Sequence, residues 1–198
     1  MFISLEGIDG SGKSTQARRL AETLRARGRE VVLTREPGGS IGAEAIRRLL
    51  VEGDTDRWSP ETELLLFNAA RRDHLERTIR PALDRGAVVV SDRFADSTRV
   101  YQGATRGDLR DLVDRLHALV IGREPDRTFV IDMDPRAALD RGLARGSGED
   151  RFEGFGLAFQ TTLRAGFLAL AADFPDRIRV IDGAAEPDTV AARIEAAL

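Results

Sequence analysis

A strand, a glycine-rich turn and a helix open this chain, and together they restrict the fold to a narrow class. Phe2-Ile3-Ser4-Leu5-Glu6 is a short apolar run, and Thr15 to Arg27 carries the apolar spacing of an amphipathic helix stopped by Gly28. Between them, Gly7-Ile8-Asp9-Gly10-Ser11-Gly12-Lys13-Ser14 fits G-x-x-x-x-G-K-[ST]. The glycines of such a turn let successive backbone N–H groups curl around a phosphate, and the helix behind it points its positive dipole end at the same anion. Lys13 is the only lysine among thirty basic residues. An ammonium is a compact point charge that fits among phosphate oxygens, whereas a guanidinium is a wide planar fork. The Ser14 hydroxyl is placed to ligate Mg²⁺. Gly7 to Ser14 therefore imply a bound nucleoside triphosphate.

Strand-like runs recur at Glu30 to Arg35, Ala87 to Ser91, Arg127 to Asp132 and Arg177 to Asp182. Their centres are β-branched and nearly continuously apolar, as in parallel strands covered on both faces. Helical stretches lie at about 13–28, 40–52, 60–85, 107–122, 135–145, 155–173 and 187–198. Ser59-Pro60 and Asp134-Pro135 mark helix starts, and Gly86 a helix stop. This alternation predicts an α/β fold: a five-stranded parallel sheet flanked by helices, with ligands outside the strands' carboxyl ends. The 198 residues suit one domain over 1–198. A net charge of −3 disfavours a nucleic-acid partner. With no cysteine, disulfides and thiolate metal sites are excluded. The chain starts directly in a core strand and has no apolar run of about 18 residues, so the expectation is a cytoplasmic protein without a membrane segment.

Other strand ends add chemistry. Val88-Val89-Val90-Ser91 runs into Asp92-Arg93, where an acid at a buried strand tip is a second anchor for hydrated Mg²⁺ and Arg93 would face a phosphate. On the third helix the stripe Leu64, Phe67, Leu75, Ile79, Leu83 also carries Arg71. One reading is a base clamp in which Phe67 stacks and Arg71 donates to a ring carbonyl; the other puts Phe67 in the core and Arg71 at the solvent or against an acid. Arg141 and Arg145 lie one turn apart before Gly146-Ser147-Gly148 and the charged run Glu149 to Glu153, which includes Arg151. Clustered arginines beside a hinge suit a short mobile lid, about 141–154, that closes over a polyphosphate; a solvated charged loop is the alternative. Asp9 is the oddity, since a carboxylate inside an anion cradle must face away from the phosphates. His74 and His117 read as surface or packing residues rather than metal ligands, and Trp58 as packing over a helix start.

The chain resembles the thymidylate kinase family along essentially its whole length. The resemblance rests on Glu6 to Thr15, Thr34-Arg35-Glu36-Pro37-Gly38-Gly39, Phe67-Asn68-Ala69-Ala70-Arg71, Ser91-Asp92-Arg93-Phe94, Ser97-Thr98, Tyr101-Gln102-Gly103 and Asp150-Arg151-Phe152-Glu153. It implies a nucleoside monophosphate kinase fold, a homodimer, and transfer of the γ-phosphoryl of ATP to dTMP with Mg²⁺. By the same resemblance Asp9 would face the sugar 3′-hydroxyl, Phe67 stack on thymine and Arg71 bond its carbonyl. Arg93 would hold the monophosphate with Arg35 nearby, Thr98 approach the base edge, Tyr101 crowd the 2′ position, and Gln102 join the substrate set. Gly10 and Ser11 stand where some members carry a catalytic arginine, so the subtype implied is the bacterial one that uses lid arginines, here Arg141, Arg145 and Arg151. The rivals are a kinase for another small acceptor and a nucleotide-dependent switch. A guanine-selective switch would show N-K-x-D, which a chain whose only asparagine is Asn68 and only lysine is Lys13 cannot contain.

Overall fold

Because parallel strands expose neither face to water, a run at the centre of the sheet is buried throughout. In the computed structural model, which describes residues 1–54, 56–104, 109–145 and 156–198, that run is β1 (Phe2–Glu6), buried at every position. It lies between β3 (Val88–Asp92) and β4 (Arg127–Asp132), with β2 (Val31–Arg35) and β5 (Ile178–Asp182) outermost. The order is β2-β3-β1-β4-β5 and every pairing is parallel. The five-stranded parallel sheet predicted from the sequence is thus observed. Both edge strands depart from the expectation of two covered faces: in β2 only Val31 is buried, and in β5 only Ile178 and Ile181.

Side chains alternate across the sheet. Ile3, Leu5, Val88, Val90, Phe129 and Ile131 face α1 (Lys13–Ala26), which packs Ala17, Leu20, Ala21 and Leu24 against them. On the opposite face Phe2 and Val89 meet Leu75, Ile79 and Phe94, and Val130 joins Val100, Leu163 and Phe167. Leu5 and Arg35 both register with Asp92, which brings the carboxyl ends of β1, β2 and β3 level with one another. The glycine turn, the Asp92-Arg93 step and the Glu36-Pro37 loop therefore emerge side by side.

Around the sheet lie α2 (Ile41–Val51), α3 (Pro60–His74), α4 (Arg80–Asp84), α5 (Ala95–Ala104), α6 (Arg110–Leu116), α7 (Pro135–Arg145), α8 (Gly156–Asp173) and α9 (Pro187–Ala196). The continuous helix expected over 60–85 is instead α3 and α4 joined by a wide π-helical turn, Leu75–Ile79. Pro81 has no N–H to continue an α ladder, and the wider turn absorbs the missing donor. The stretch expected over 107–122 divides in the same way into α6 and a turn at His117–Ile121. The sequence reading missed α5 altogether. The hinge 146–148, Arg151 and the rest of the expected lid beyond Arg145 lie outside the described residues.

Candidate active site

Gly12 caps α1 with φ 99°, no side-chain cap bond is made among the described residues, and the first turn carries no acid. By contrast α2 and α3 are capped by Ser40 and Ser59 and hold acids in their first turns. An uncapped, acid-free helix start offers its donors to an external anion. The glycines are fixed by sterics as well. A Cβ at Gly10 (φ +80°) would lie 1.9 Å from the Ala138 carbonyl oxygen of α7, and one at Gly7 2.6 Å from that of Ile131. At Gly12 no atom of the described residues lies within 4 Å of such a Cβ. Among the described residues, the loop is therefore pressed against protein on one side and open on the other. Lys13 donates from Nζ to Ile8 O at 2.7 Å, and its buried ammonium is pushed down to about 8, by burial first and then by the nearby Arg93, against the pull of Asp9, Asp92 and Glu6.

A cavity of about 260 Å³ begins at this loop and reaches between α3 and α5. Arg93 stands at its middle in the left-handed region, φ 72°, a conformation that a bulky residue adopts only where its surroundings hold it. Its Nη2 donates to Asp9 Oδ1 at 2.5 Å and to the Tyr101 hydroxyl at 3.1 Å, and its Nη1 to Ser97 Oγ at 2.9 Å. Tyr101 donates in turn to Asp9 Oδ2 at 2.8 Å. Burial alone would raise the Asp9 carboxyl, but Arg93, Lys13 and the Tyr101 hydrogen bond overcome it and hold Asp9 at about 2. Beneath them Glu6, fully buried, accepts from Phe94 N at 2.7 Å and Ser97 Oγ at 2.6 Å. Burial and then Asp96 push the Glu6 carboxyl up to about 7.

At the far end Arg71 is 3% exposed and bound on two sides. Its Nε donates to Glu36 Oε2 at 2.7 Å, while Nη2 donates to Thr98 Oγ1 at 2.8 Å and Phe94 O at 3.2 Å. Among the described residues, Nη1 has no partner. Glu36 also accepts from His74 Nδ1 at 2.9 Å, and His74 Nε2 lies 2.7 Å from Thr34 Oγ1. Phe67, half-buried one turn before Arg71, lines the same cavity with Thr98 and Gln102. Both sequence readings of this helix are partly met: Arg71 does meet an acid, and Phe67 does face a cavity.

Of the other expected residues, Ser14 is exposed at the mouth of the loop, and Asp92 Oδ1 is buried with no partner among the described residues. A hard cation suits this hydroxyl–carboxylate pair, and no larger His/Cys/Asp/Glu cluster occurs among the described residues. Arg35 is exposed at the cavity edge and pairs with Glu44 at 3.2 Å. Arg141 lines a second cavity of about 210 Å³ on the other side of the loop, with Gly10, Thr15, Gln16 and Pro187, and donates to Met133 Sδ at 3.4 Å. The side chain of Arg145 and all of Arg151 lie outside the described residues. Glu36, Glu63 and Ser97 were given no role from sequence. Glu36 lay inside a quoted motif, and Glu63 lies one turn before Phe67, so spacing along the helix was the available signal. Of the two readings of His74, surface or packing, the second holds: it is fully buried between Glu36 and Thr34.

The family model described as thymidylate kinase matches residues 5–194. A thymidylate kinase of Dinoroseobacter shibae is 76% identical over 197 residues, which cover 100% of this chain and 95% of that protein. One of a Jannaschia species is 71% identical over 195 residues, covering 98% of this chain and 94% of the relative. The crystal structure of thymidylate kinase from Ehrlichia chaffeensis superposes with a TM-score of 0.82 at 37% identity, covering 100% of this chain and 97% of that one.

Proposed function

The chain belongs to the thymidylate kinase family, enzymes that phosphorylate dTMP from ATP, and we propose that it carries out this transfer with the two nucleotides end to end along the carboxyl edge of the sheet. The observation that carries the placement is the single cleft joining the uncapped α1 start and Lys13 to the aromatic–guanidinium pair Phe67 and Arg71. The triphosphate lies on Gly7, Ile8, Asp9, Gly10, Ser11, Gly12, Lys13 and Ser14, and the adenosine runs toward the second cavity beside Pro187. The pyrimidine lies on Phe67, with Arg71 Nη1 donating to its 4-carbonyl and with Thr98 and Gln102 at its edge. Asp9 takes the sugar 3′-hydroxyl, and Tyr101, fixed to Asp9, closes the space a 2′-hydroxyl would need.

In-line attack by an already ionised phosphate needs no strong base, so alignment and charge neutralisation are what the residues supply. Arg93, locked by Asp9 and Ser97, meets the dTMP phosphate without reorganising, and Arg35 adds charge at the rim. Lys13 carries the transferring group, with Arg141, Arg145 and Arg151 as the further cations. Ser14 and Asp92 would hold Mg²⁺, which when bound neutralises charge on the phosphate oxygens. The same reading makes the protein a cytoplasmic homodimer. Exposed Ile41 (95%) on α2 and Leu65 (57%) on α3 support an apolar interface there. A panel of nucleoside monophosphates in an ADP-release assay tests the function: dTMP should give the highest kcat/KM, and a better acceptor of another class would overturn it.

A further inference from the structure

We propose that Glu63 is a positioning residue that commits the base pocket to a keto–imide pyrimidine edge. The inference rests on the placement of the pyrimidine beside Phe67 proposed above. Glu63, Phe67 and Arg71 succeed one another at one-turn spacing on α3, and Thr98 and Gln102 do so on the facing α5. Glu63 is fully buried and accepts from Gln102 Nε2 at 2.7 Å; Gln102 is itself 1% exposed.

A carboxylate has no hydrogen to give, so the amide must turn its NH₂ toward Glu63. That leaves the Gln102 carbonyl oxygen, to which no described residue donates, as the polar end for the cavity Gln102 lines. On the other side Glu36 and Thr98 fix Arg71 so that Nη1 offers donors only. The pocket thus presents a donor beside an acceptor. Thymine and uracil present the complement, an accepting 4-carbonyl beside a donating N3–H. Cytosine presents the reverse, an amino donor beside an accepting N3, so donor would meet donor and acceptor meet acceptor. Each buried polar group left unpaired weakens binding by roughly five- to a hundredfold. Glu63 thus acts through Gln102 on selectivity and does not touch the base. The 5-methyl group plays no part, so the device treats dUMP and dTMP alike.

The test measures kcat/KM for dTMP, dUMP and dCMP on the full-length protein and on Glu63→Gln. Glutamine has nearly the same shape but both donates and accepts, so it frees Gln102 to turn over. The expected result is a dTMP kcat/KM about tenfold lower, mainly through KM, with a dCMP:dTMP ratio raised at least about tenfold. The dUMP:dTMP ratio and the KM for ATP should stay within about twofold, as expected if only the amide turns. The exchanged pair Glu63→Gln/Gln102→Glu restores one fixed donor and one fixed acceptor, with a carboxylate oxygen toward the cavity, and should return the ratio toward wild type. A purely structural Glu63 would lower the melting temperature and leave the dCMP:dTMP ratio unchanged, which overturns the proposal. If the single variant does not fold, the exchanged pair decides: selectivity for dTMP over dCMP supports the proposal, and its loss overturns it. A wild-type protein inactive on dTMP would overturn the functional reading and this inference together.

Discussion

Glu36→Ala removes the carboxylate that accepts from Arg71 at 2.7 Å and from His74 at 2.9 Å, while both donors stay buried. Arg71 keeps Thr98 Oγ1 and the Phe94 carbonyl but no counter-charge within contact. Breaking one side of such a buried pair costs about 3–5 kcal/mol, because a stranded charge remains. For a chain of this size that lowers the melting temperature by roughly 6–20 °C. Arg71 should also lose its aim, which raises the KM for dTMP about tenfold with little change in that for ATP. The double variant Glu36→Ala/Arg71→Ala discriminates further. It leaves no stranded guanidinium, so it should be more stable than Glu36→Ala alone, while binding dTMP as poorly as Arg71→Ala. Thermal melts and separate titrations of the two substrates read both effects. A Glu36→Ala protein that melts like wild type, or one whose ATP and dTMP constants rise equally, would refute the buttress.

Three further outcomes follow from other parts of the structure. Burial pushes the Lys13 ammonium down to about 8, so the charge proposed to hold the triphosphate is present below that pH and lost above it. The KM for ATP should be flat below pH 8 and rise above it, and calorimetry in buffers of different ionisation heat should show proton uptake on ATP binding near pH 8; a KM independent of pH up to 9 would contradict this. Gly10→Ala drives a Cβ into the Ala138 carbonyl and should cost at least about tenfold in kcat/KM for ATP, whereas Gly28→Ala, with no described residue within 4 Å, should cost only about 1 kcal/mol in urea unfolding for its positive φ. Arg177→Met withdraws both bonds that Arg177 makes to the fully buried Asp96, which leaves Arg99 and Thr128 to satisfy it. It should lower stability by about 3 kcal/mol and change kcat less than twofold, since neither Arg177 nor Asp96 lines the cleft.

The parts of this fold that are built on apolar periodicity were legible in the sequence. β1 matches its expected limits, and β4 and α7 match theirs, because short apolar runs (Phe2, Ile3 and Leu5; Phe129, Val130 and Ile131) and a Pro-marked helix start state their structure locally. α5 was not legible for a physical reason: its buried positions include Asp96, Ser97, Thr98, Arg99 and Gln102, so it carries no apolar stripe to read. Those residues are buried against partners from distant segments, Glu6, Glu63, Arg71 and Glu124, which no local pattern reveals. The site divides in the same way. The phosphate loop is contiguous, and its residue types follow from its chemistry. The proposed base end is assembled across α3, α5 and the loop after β2, so Phe67, Arg71 and the one-turn position of Glu63 could be read from helical spacing, whereas the partners that Glu36 and Glu63 hold on other elements could not. Asp9 ceases to be an anomaly once Arg93 and Tyr101 are seen to hold both of its oxygens.

The most direct measurement is a crystal structure with a bisubstrate analogue that joins adenosine and thymidine through a chain of phosphates. The phosphates should follow Gly10 to Ser14 with Lys13 and Arg93 against them, and thymine should stack on Phe67 with its 4-carbonyl on Arg71 Nη1. Thymine found anywhere outside the α3–α5 cleft, or a phosphate chain that bypasses the start of α1, would contradict the end-to-end arrangement.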